Sequence, residues 1–315
     1  MRVVVSGATG AVGMALISRL ILEGGEVTVL CRDDSLRSHR IKESARVKKI
    51  SCSLDGLSRL SLEGKYDVFF FLAWAGTTGR ARNDVYLQNA NVRYTLDAVE
   101  LAARCGCKTF VGVGSQAEYG RVGVKLNSAT PTFPENAYGM AKLAAGQMSR
   151  LRCRELGIKH VWVRILSVYG PYDGEGSLVS YTIDTLARGE RASFTRAEQT
   201  WDYIYSDDAA RALIAVARNG RDGGVYCLGS GNAQPLYKYI EAIRDAVAPD
   251  AHLYFDDVPY SEGQPMYLCA DISELTCDTG FVPEMSFEDG IRKTVKWYYD
   301  EGANCEKDKH YGALL

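Results

Sequence analysis

Short runs of consecutive apolar residues alternate with longer stretches whose apolar positions recur at helical spacing, and the alternation persists through the first half of the chain. The short runs are too brief for helices and lack a polar side, so they predict strands buried on both faces; the longer stretches predict helices with one apolar stripe. The pattern predicts strands over 2–6, 26–31, 47–51, 67–73, 108–113 and 160–166, and helices over 11–23, 84–105 and 137–156. Val68-Phe69-Phe70-Phe71-Leu72 and Phe110-Val111-Gly112-Val113 are the plainest of the continuously apolar runs. Helical crossovers make successive strands parallel, so the expected fold class is α/β, a doubly wound parallel sheet of about seven strands. After residue 170 the pattern loosens into Gly, Pro and Tyr-rich stretches such as Tyr169-Gly170-Pro171-Tyr172-Asp173-Gly174, before a helix over 207–218, a strand over 224–228 and a helix over 236–247. Residues 1–170 and 203–230 are expected to build the sheet domain, and 171–202 with 231–315 a smaller C-terminal lobe. The site is expected between the two.

Composition narrows the classes. The 315 residues are 46% hydrophobic and 24% charged, with 31 glycines and 8 prolines, which excludes disordered, collagen-like and low-complexity chains. The 37 Lys and Arg face 39 Asp and Glu, a net charge of −2. With no basic block, no nucleic-acid partner is expected. Uncharged runs fall short of the roughly 20 apolar residues of a membrane span, and the N-terminus enters a buried strand rather than a signal sequence. The expectation is a cytoplasmic protein with no membrane partner. Nine cysteines are scattered without a CxxC pair, and four histidines lie far apart, which argues against structural zinc and a disulfide framework.

Two constellations carry candidate chemistry. Ser6-Gly7-Ala8-Thr9-Gly10-Ala11-Val12-Gly13 joins the first strand to a helix with apolar residues at 12, 16, 17, 20 and 21. Glycines at 7, 10 and 13 permit a tight turn, close approach of backbone N–H groups to a pyrophosphate, and close packing of helix on strand. A merely tight turn is the alternative, and the strand–turn–helix context favours the dinucleotide. Tyr138 and Lys142 lie four residues apart, on one face of a helix. A cation beside a phenol favours the phenolate, which lets a group titrating near ~10 exchange protons at neutral pH. Ser115 ends the preceding strand and is placed to donate a hydrogen bond to the same substrate oxygen. A surface tyrosine beside a lysine stem, and a capping serine, are the alternatives. The convergence of these roles favours Ser115, Tyr138 and Lys142 as a catalytic set.

The GxxGxxG spacing, Gly114-Ser115-Gln116-Ala117-Glu118-Tyr119-Gly120, Tyr138-Gly139-Met140-Ala141-Lys142, Arg164-Ile165-Leu166-Ser167-Val168-Tyr169-Gly170-Pro171, Trp201-Asp202-Tyr203-Ile204-Tyr205-Ser206-Asp207-Asp208, and Gly280-Phe281-Val282-Pro283 with Trp297-Tyr298 follow one another in order. This series resembles the extended short-chain dehydrogenase/reductase superfamily, in particular the NAD-dependent epimerase/dehydratase family of nucleotide-sugar enzymes, over almost the whole chain. The resemblance implies a Rossmann-type sheet with a C-terminal substrate lobe and a nucleotide-diphosphate sugar as partner. It also implies a homodimer through the helices over 84–105 and 137–156, with Leu143, Met148 and Leu151 on the second. Carried over residue by residue, it assigns a dinucleotide to Gly7, Thr9, Gly10, Ala11, Val12, Gly13, Cys31, Arg32, Ser53, Leu54, Leu72, Ala73, Trp74, Val113, Ile165 and Val168, besides Tyr138 and Lys142. It assigns the substrate to Thr77, Thr78, Gln116, Ser167, Arg196 and Trp201.

The departures refine what the resemblance implies. NAD users of the superfamily usually carry Asp at the end of the second strand; here Cys31 and Arg32 follow it, and a guanidinium can bind a 2′-phosphate, so NADP is expected with NAD as the alternative. Ser53 stands where the family often carries Asp. Gln116-Ala117 replace the Asp-Glu acid/base pair of 4,6-dehydratases, which disfavours dehydration. Trp201 replaces an Arg that contacts the substrate diphosphate, a role Arg196 could take, and Ser167 replaces Asn. The expected activity is reduction of a nucleotide-diphospho-4-ketohexose, as in deoxysugar pathways. An epimerase that retains its NAD is the alternative enzyme. A non-catalytic dinucleotide-sensing regulator, a class expected to lose the Tyr or the Lys, is the third reading.

Overall fold

The computed structural model describes residues 1–301 apart from Glu175 and Glu262, so the end of the expected lobe, 302–315, with Cys305 and His310, lies outside the described residues. Seven strands form one sheet: β1 (Arg2–Ser6), β2 (Glu26–Cys31), β3 (Val47–Ser51), β4 (Val68–Phe71), β5 (Thr109–Ser115), β6 (Lys159–Ile165) and β7 (Gly224–Leu228). All pairings are parallel, and the order across the sheet is β7-β6-β5-β4-β1-β2-β3. The chain runs outward from β1 to β3 and then restarts on the other side of β1 with β4. Loops leaving β1 and β4 therefore diverge in opposite directions and open a crevice at their carboxyl ends, the usual ligand position in such sheets.

Eight helices complete the described part: α1 (Ala11–Leu22), α2 (Val85–Arg104), α3 (Ala137–Leu156), α4 (Leu178–Ala187), α5 (Ser206–Asn219), α6 (Leu236–Val247), α7 (Ser273–Thr279) and α8 (Phe287–Asp300). Successive strand residues point to opposite faces, so Val3, Val5 and Phe70 pack with Leu16, Leu20 and Leu213 of α1 and α5. Val4, Phe69, Phe71 and Phe110 pack with Ala98, Leu101 and Cys153 of α2 and α3 on the other face. This is the doubly wound arrangement expected from the alternating pattern. None of the described helices is long and apolar enough to cross a membrane.

A second core joins Val179 and Ile183 of α4, Tyr239 and Ile240 of α6, and Phe287 and Ile291 of α8. Two short strand pairs, 192–193 with 253–254 and 200–201 with 234–235, lie beside these helices. The C-terminal residues do not pack as one unit: Leu275 of α7 and Phe281 join the sheet-side core with α1 and α5. A parallel pairing of 167–169 with 203–205 leads from the end of β6 toward the second core.

Candidate active site

Gly7 has φ +74°, and a Cβ there would lie 2.5 Å from Ala73 N and 2.6 Å from the Leu72 carbonyl carbon. Only glycine lets the turn after β1 press against the end of β4. Gly10 caps α1, and a Cβ on it would meet nothing within 4 Å. No side chain caps this helix, and its first turn holds no acidic residue. Its leading N–H groups therefore have no side-chain partner, and with the partial positive charge of the helix end behind them they form a cradle that fits a diphosphate. A cavity of about 530 Å³ continues from Gly7 past Leu30, Cys31, Arg32, Ser53, Leu54, Ala73 and Trp74, which is room for the nucleoside beyond the diphosphate. Cys31 is half-buried, and burial pushes its thiol up. Arg32 keeps 62% of its side chain exposed, 3.6 Å from Asp34, and the Ser53 hydroxyl is engaged by Asp55. Thr9 offers its carbonyl to Arg40 (3.0 Å). Ala11 is half-buried at the start of α1, and Val12, Leu72, Val113, Ile165 and Val168 pack half-buried against the sheet core.

At the end of β5 the Ser115 hydroxyl, which accepts from Ala117 N at 3.2 Å, stands near Tyr138 and favours its phenolate. Tyr138 lies in the first turn of α3, whose cap Asn136 accepts from Gly139 N at 2.8 Å. The lysine is placed differently from the expectation. Lys142 Nζ donates to the Val113 carbonyl (2.6 Å) and lies 3.9 Å above the Trp74 ring, 5.9 Å from the Tyr138 ring centre. The indole stands edge-on to Tyr138, with ring centres 6.0 Å apart, and its Nε1–H is anchored on Gln88 Oε1 (2.8 Å). The expected lowering of the phenol is reversed: burial pushes Tyr138 above its ordinary value, against the nearby Ser115 hydroxyl and the charge of Arg82. Burial also pulls Lys142 down to about 7, opposed by Glu118.

Two charged residues were missed by the sequence reading. Arg82, from the turn over Gly79–Asn83, places its guanidinium 4.3 Å above the Tyr138 ring. Glu118, 0% exposed, accepts from Ser115 N (2.9 Å), Trp162 Nε1 (3.1 Å) and Arg164 Nε (2.6 Å). It closes a capping box with Ser115, a pattern written in the sequence as Ser followed three residues later by Glu.

On the substrate side, a cavity of about 380 Å³ in the lobe is lined by Leu178, Tyr181, Phe194, Gln199, Trp201, Tyr203, Ile240 and Gln264 among others, with no charged side chain among the described residues. A second hollow of about 280 Å³ runs from Gln116 past Arg121 to Gln264, so Gln264 links the end of β5 to the lobe. Trp201 Nε1 donates to Ser167 Oγ (2.8 Å); the two departures from the family pattern are bonded to each other. Arg196 does not replace the missing arginine: its Nε pairs with Asp256 at 3.1 Å, it is 60% exposed, and it lines neither hollow. Thr77 and Thr78 are exposed and line neither hollow. The Thr77 carbonyl holds Arg82 Nη1 (3.0 Å).

A glycine cradle at the switch point of a parallel sheet, with Ser, Tyr and Lys gathered at the neighbouring strand end, is the layout of an extended short-chain dehydrogenase/reductase. The NAD dependent epimerase/dehydratase family model matches residues 3–229, and the chain belongs to that family. It is 26% identical to a probable dTDP-glucose 4,6-dehydratase of Sinorhizobium fredii, covering 96% of this chain and 94% of that protein. It is 27% identical to dTDP-glucose 4,6-dehydratase 1 of Escherichia coli over 180 residues, spanning 50% of that relative. Among solved structures, UDP-glucose 4-epimerase of Thermotoga maritima with UDP-glucose superposes with a TM-score of 0.85 at 22% identity, covering 95% of this chain and 99% of that one. A dTDP-glucose 4,6-dehydratase of Streptomyces venezuelae with NAD bound gives 0.84 at 21% identity, covering 98% and 99%.

Proposed function

We propose that this chain is an NAD(P)-dependent oxidoreductase that acts at one carbon of a nucleotide-diphosphate sugar, in the direction that reduces a 4-ketohexose. The observation that carries the reading is the gathering of Ser115 and Tyr138 beyond the end of β5, with Trp74 standing against Tyr138 on one side and lining the cavity of the glycine turn on the other. The dinucleotide, when bound, supplies the hydride. Gly7, Gly10 and Gly13 would hold its diphosphate, Cys31 and Arg32 its adenosine ribose, and Lys142 its nicotinamide ribose. Ser115 and Tyr138 hydrogen-bond the carbonyl oxygen, and Tyr138 gives its proton to that oxygen as negative charge develops there. A phenol held above its ordinary value keeps its proton for this donation.

The dTDP-glucose relative supports a nucleotide sugar, but the groups beside Ser115 do not supply the extra acid and base of a dehydration. Gln116 is an amide, Ala117 a buried methyl, and Glu118 is turned inward onto Arg164. One proton-transfer group at one carbon suits simple oxidoreduction. The test incubates the purified protein with NADPH or NADH and a nucleotide-diphospho-4-keto-6-deoxyhexose while following the absorbance of the reduced nicotinamide. Stoichiometric consumption is expected, with Tyr138→Phe slowing turnover roughly 10²–10⁴-fold and leaving cofactor affinity unchanged. Cofactor that co-purifies and is never consumed while the 4-hydroxyl of a nucleotide hexose inverts would identify an epimerase instead.

A further inference from the structure

We propose that Arg82 is the receptor for an anionic group of the substrate, holding a carboxylate or diphosphate oxygen beside Tyr138. The inference rests on the reading above, in which the substrate reacts at Tyr138, and it names what that substrate must carry.

The loop bearing Arg82 is fixed to the reacting turn itself, because Asn83 Oδ1 accepts from Ala137 N at 3.2 Å, one residue before Tyr138. The guanidinium carbon stands 4.3 Å from the centre of the phenol ring. Its one hydrogen bond among the described residues goes to the Thr77 carbonyl, a neutral acceptor, at 3.0 Å. Of its five N–H donors, most therefore remain for a ligand. Three other arginines are compensated: Arg164 pairs with Glu118 at 2.6 Å, Arg121 with Glu135 at 2.7 Å, and Arg196 with Asp256 at 3.1 Å. Arg82 has no carboxylate partner among the described residues, a property it shares in this part of the site only with the exposed Arg80 of its own turn.

The lobe cavity makes the same point from the other side. Among the described residues its lining has no charged side chain, and the indole where a guanidinium could have stood is tied to Ser167. Negative charge on a substrate would go unanswered there, whereas a planar guanidinium matches carboxylate and phosphate oxygens with two parallel hydrogen bonds. Binding also has a consequence for chemistry. The charge of Arg82 pulls the Tyr138 phenol toward ionisation, so an anion bound to Arg82 would also weaken that pull.

The test measures binding rather than turnover, by calorimetry on the NADH-loaded protein, with uridine and thymidine, UDP and dTDP, UDP-glucose, and UDP-glucuronate as probes. The parent should bind an anionic probe about ten- to a hundredfold tighter than its neutral counterpart, and Arg82→Gln should erase that advantage while Arg82→Lys keeps part of it. Loss of the diphosphate's advantage over the nucleoside assigns Arg82 to the diphosphate; loss of glucuronate's advantage over glucose assigns it to a sugar carboxylate. NADH affinity in each variant separates a lost anion site from a lost fold. Anion binding that survives Arg82→Gln, or that disappears instead with Arg80→Gln or Arg121→Gln, overturns the inference and leaves the proposed function standing. A parent that binds NADH and none of the probes overturns the nucleotide-sugar reading and this inference with it.

Discussion

Replacing Lys142 by Met should make the cofactor-free protein more stable at neutral pH and not at alkaline pH. Lys142 is 4% exposed, and burial pulls its ammonium from the ordinary 10.5 down to about 7, with Glu118 opposing the drop. Between those two values the unfolded chain holds a proton that the folded chain has given up, so folding stability rises with pH across that window and is flat below it. The accumulated penalty below pH 7 is about 5 kcal/mol. Methionine keeps the unbranched length in the same space, but it forfeits the 2.6 Å bond to the Val113 carbonyl and the contact over Trp74. Those losses cost about 1–2 kcal/mol. The variant should therefore gain roughly 3 kcal/mol near pH 6, lose that advantage progressively as pH rises from 7 toward 10.5, and end slightly less stable than the parent. Urea denaturation of both proteins across this range, followed by tryptophan fluorescence, reads the difference directly. A difference that stays constant with pH would show that Lys142 titrates at its ordinary value. A variant less stable than the parent at pH 6 would show that Val113 and Glu118 outweigh burial.

Three further outcomes follow from single contacts. Arg32→Ala should weaken NADPH about ten- to a hundredfold more than NADH in parallel titrations, and equal losses would make Arg32 a bystander. Glu118→Gln should destabilise the fold by about 3–5 kcal/mol in urea titrations, because Arg164 is left charged and buried without its partner; a loss below about 1 kcal/mol would show that other groups already compensate Arg164. Met148 and Leu151 stand 46% and 53% exposed on α3, where a partner copy would cover them. Leu151→Glu should then convert a dimer to a monomer in sedimentation at micromolar concentration, and a monomeric parent would refute the interface.

Most of the sheet could be read from the sequence because its central strands are buried on both faces, as in the uninterrupted apolar run over 68–71; the edge strand 47–51, with its exposed Lys48, was read from its place in the alternation instead. The helices of the second core were less legible. In α4, Leu178–Ala187, serine and threonine dilute the stripe, although Val179, Ile183 and Leu186 are buried at helical spacing. In α8 the signal was present, with Ser286 as cap and Phe287, Ile291 and Val295 four apart, but charged neighbours hid it. The site divides along the same line. Ser115, Tyr138 and the glycines were legible because strand end, helix turn and tight turn are local geometries. Arg82 and Arg196 were not, because their roles depend on which carboxylates the fold brings near, and Asp256, sixty residues on in the chain, claims Arg196.

Four-residue spacing places Tyr138 and Lys142 on one helical face, yet what each side chain does there is decided by what fills the space between them. Trp74 stands against both, and the two cations near the phenol consequently differ in kind. Lys142 is buried, with its ammonium pulled down to about 7. Arg82 is half-buried on a loop, and a guanidinium does not deprotonate in proteins, so it acts as a fixed charge that an anion can neutralise without any proton moving. Exchanging them has a cost in either direction: an arginine at 142 would carry a permanent charge into a buried position, and a lysine at 82 would keep the charge but lose the planar fork.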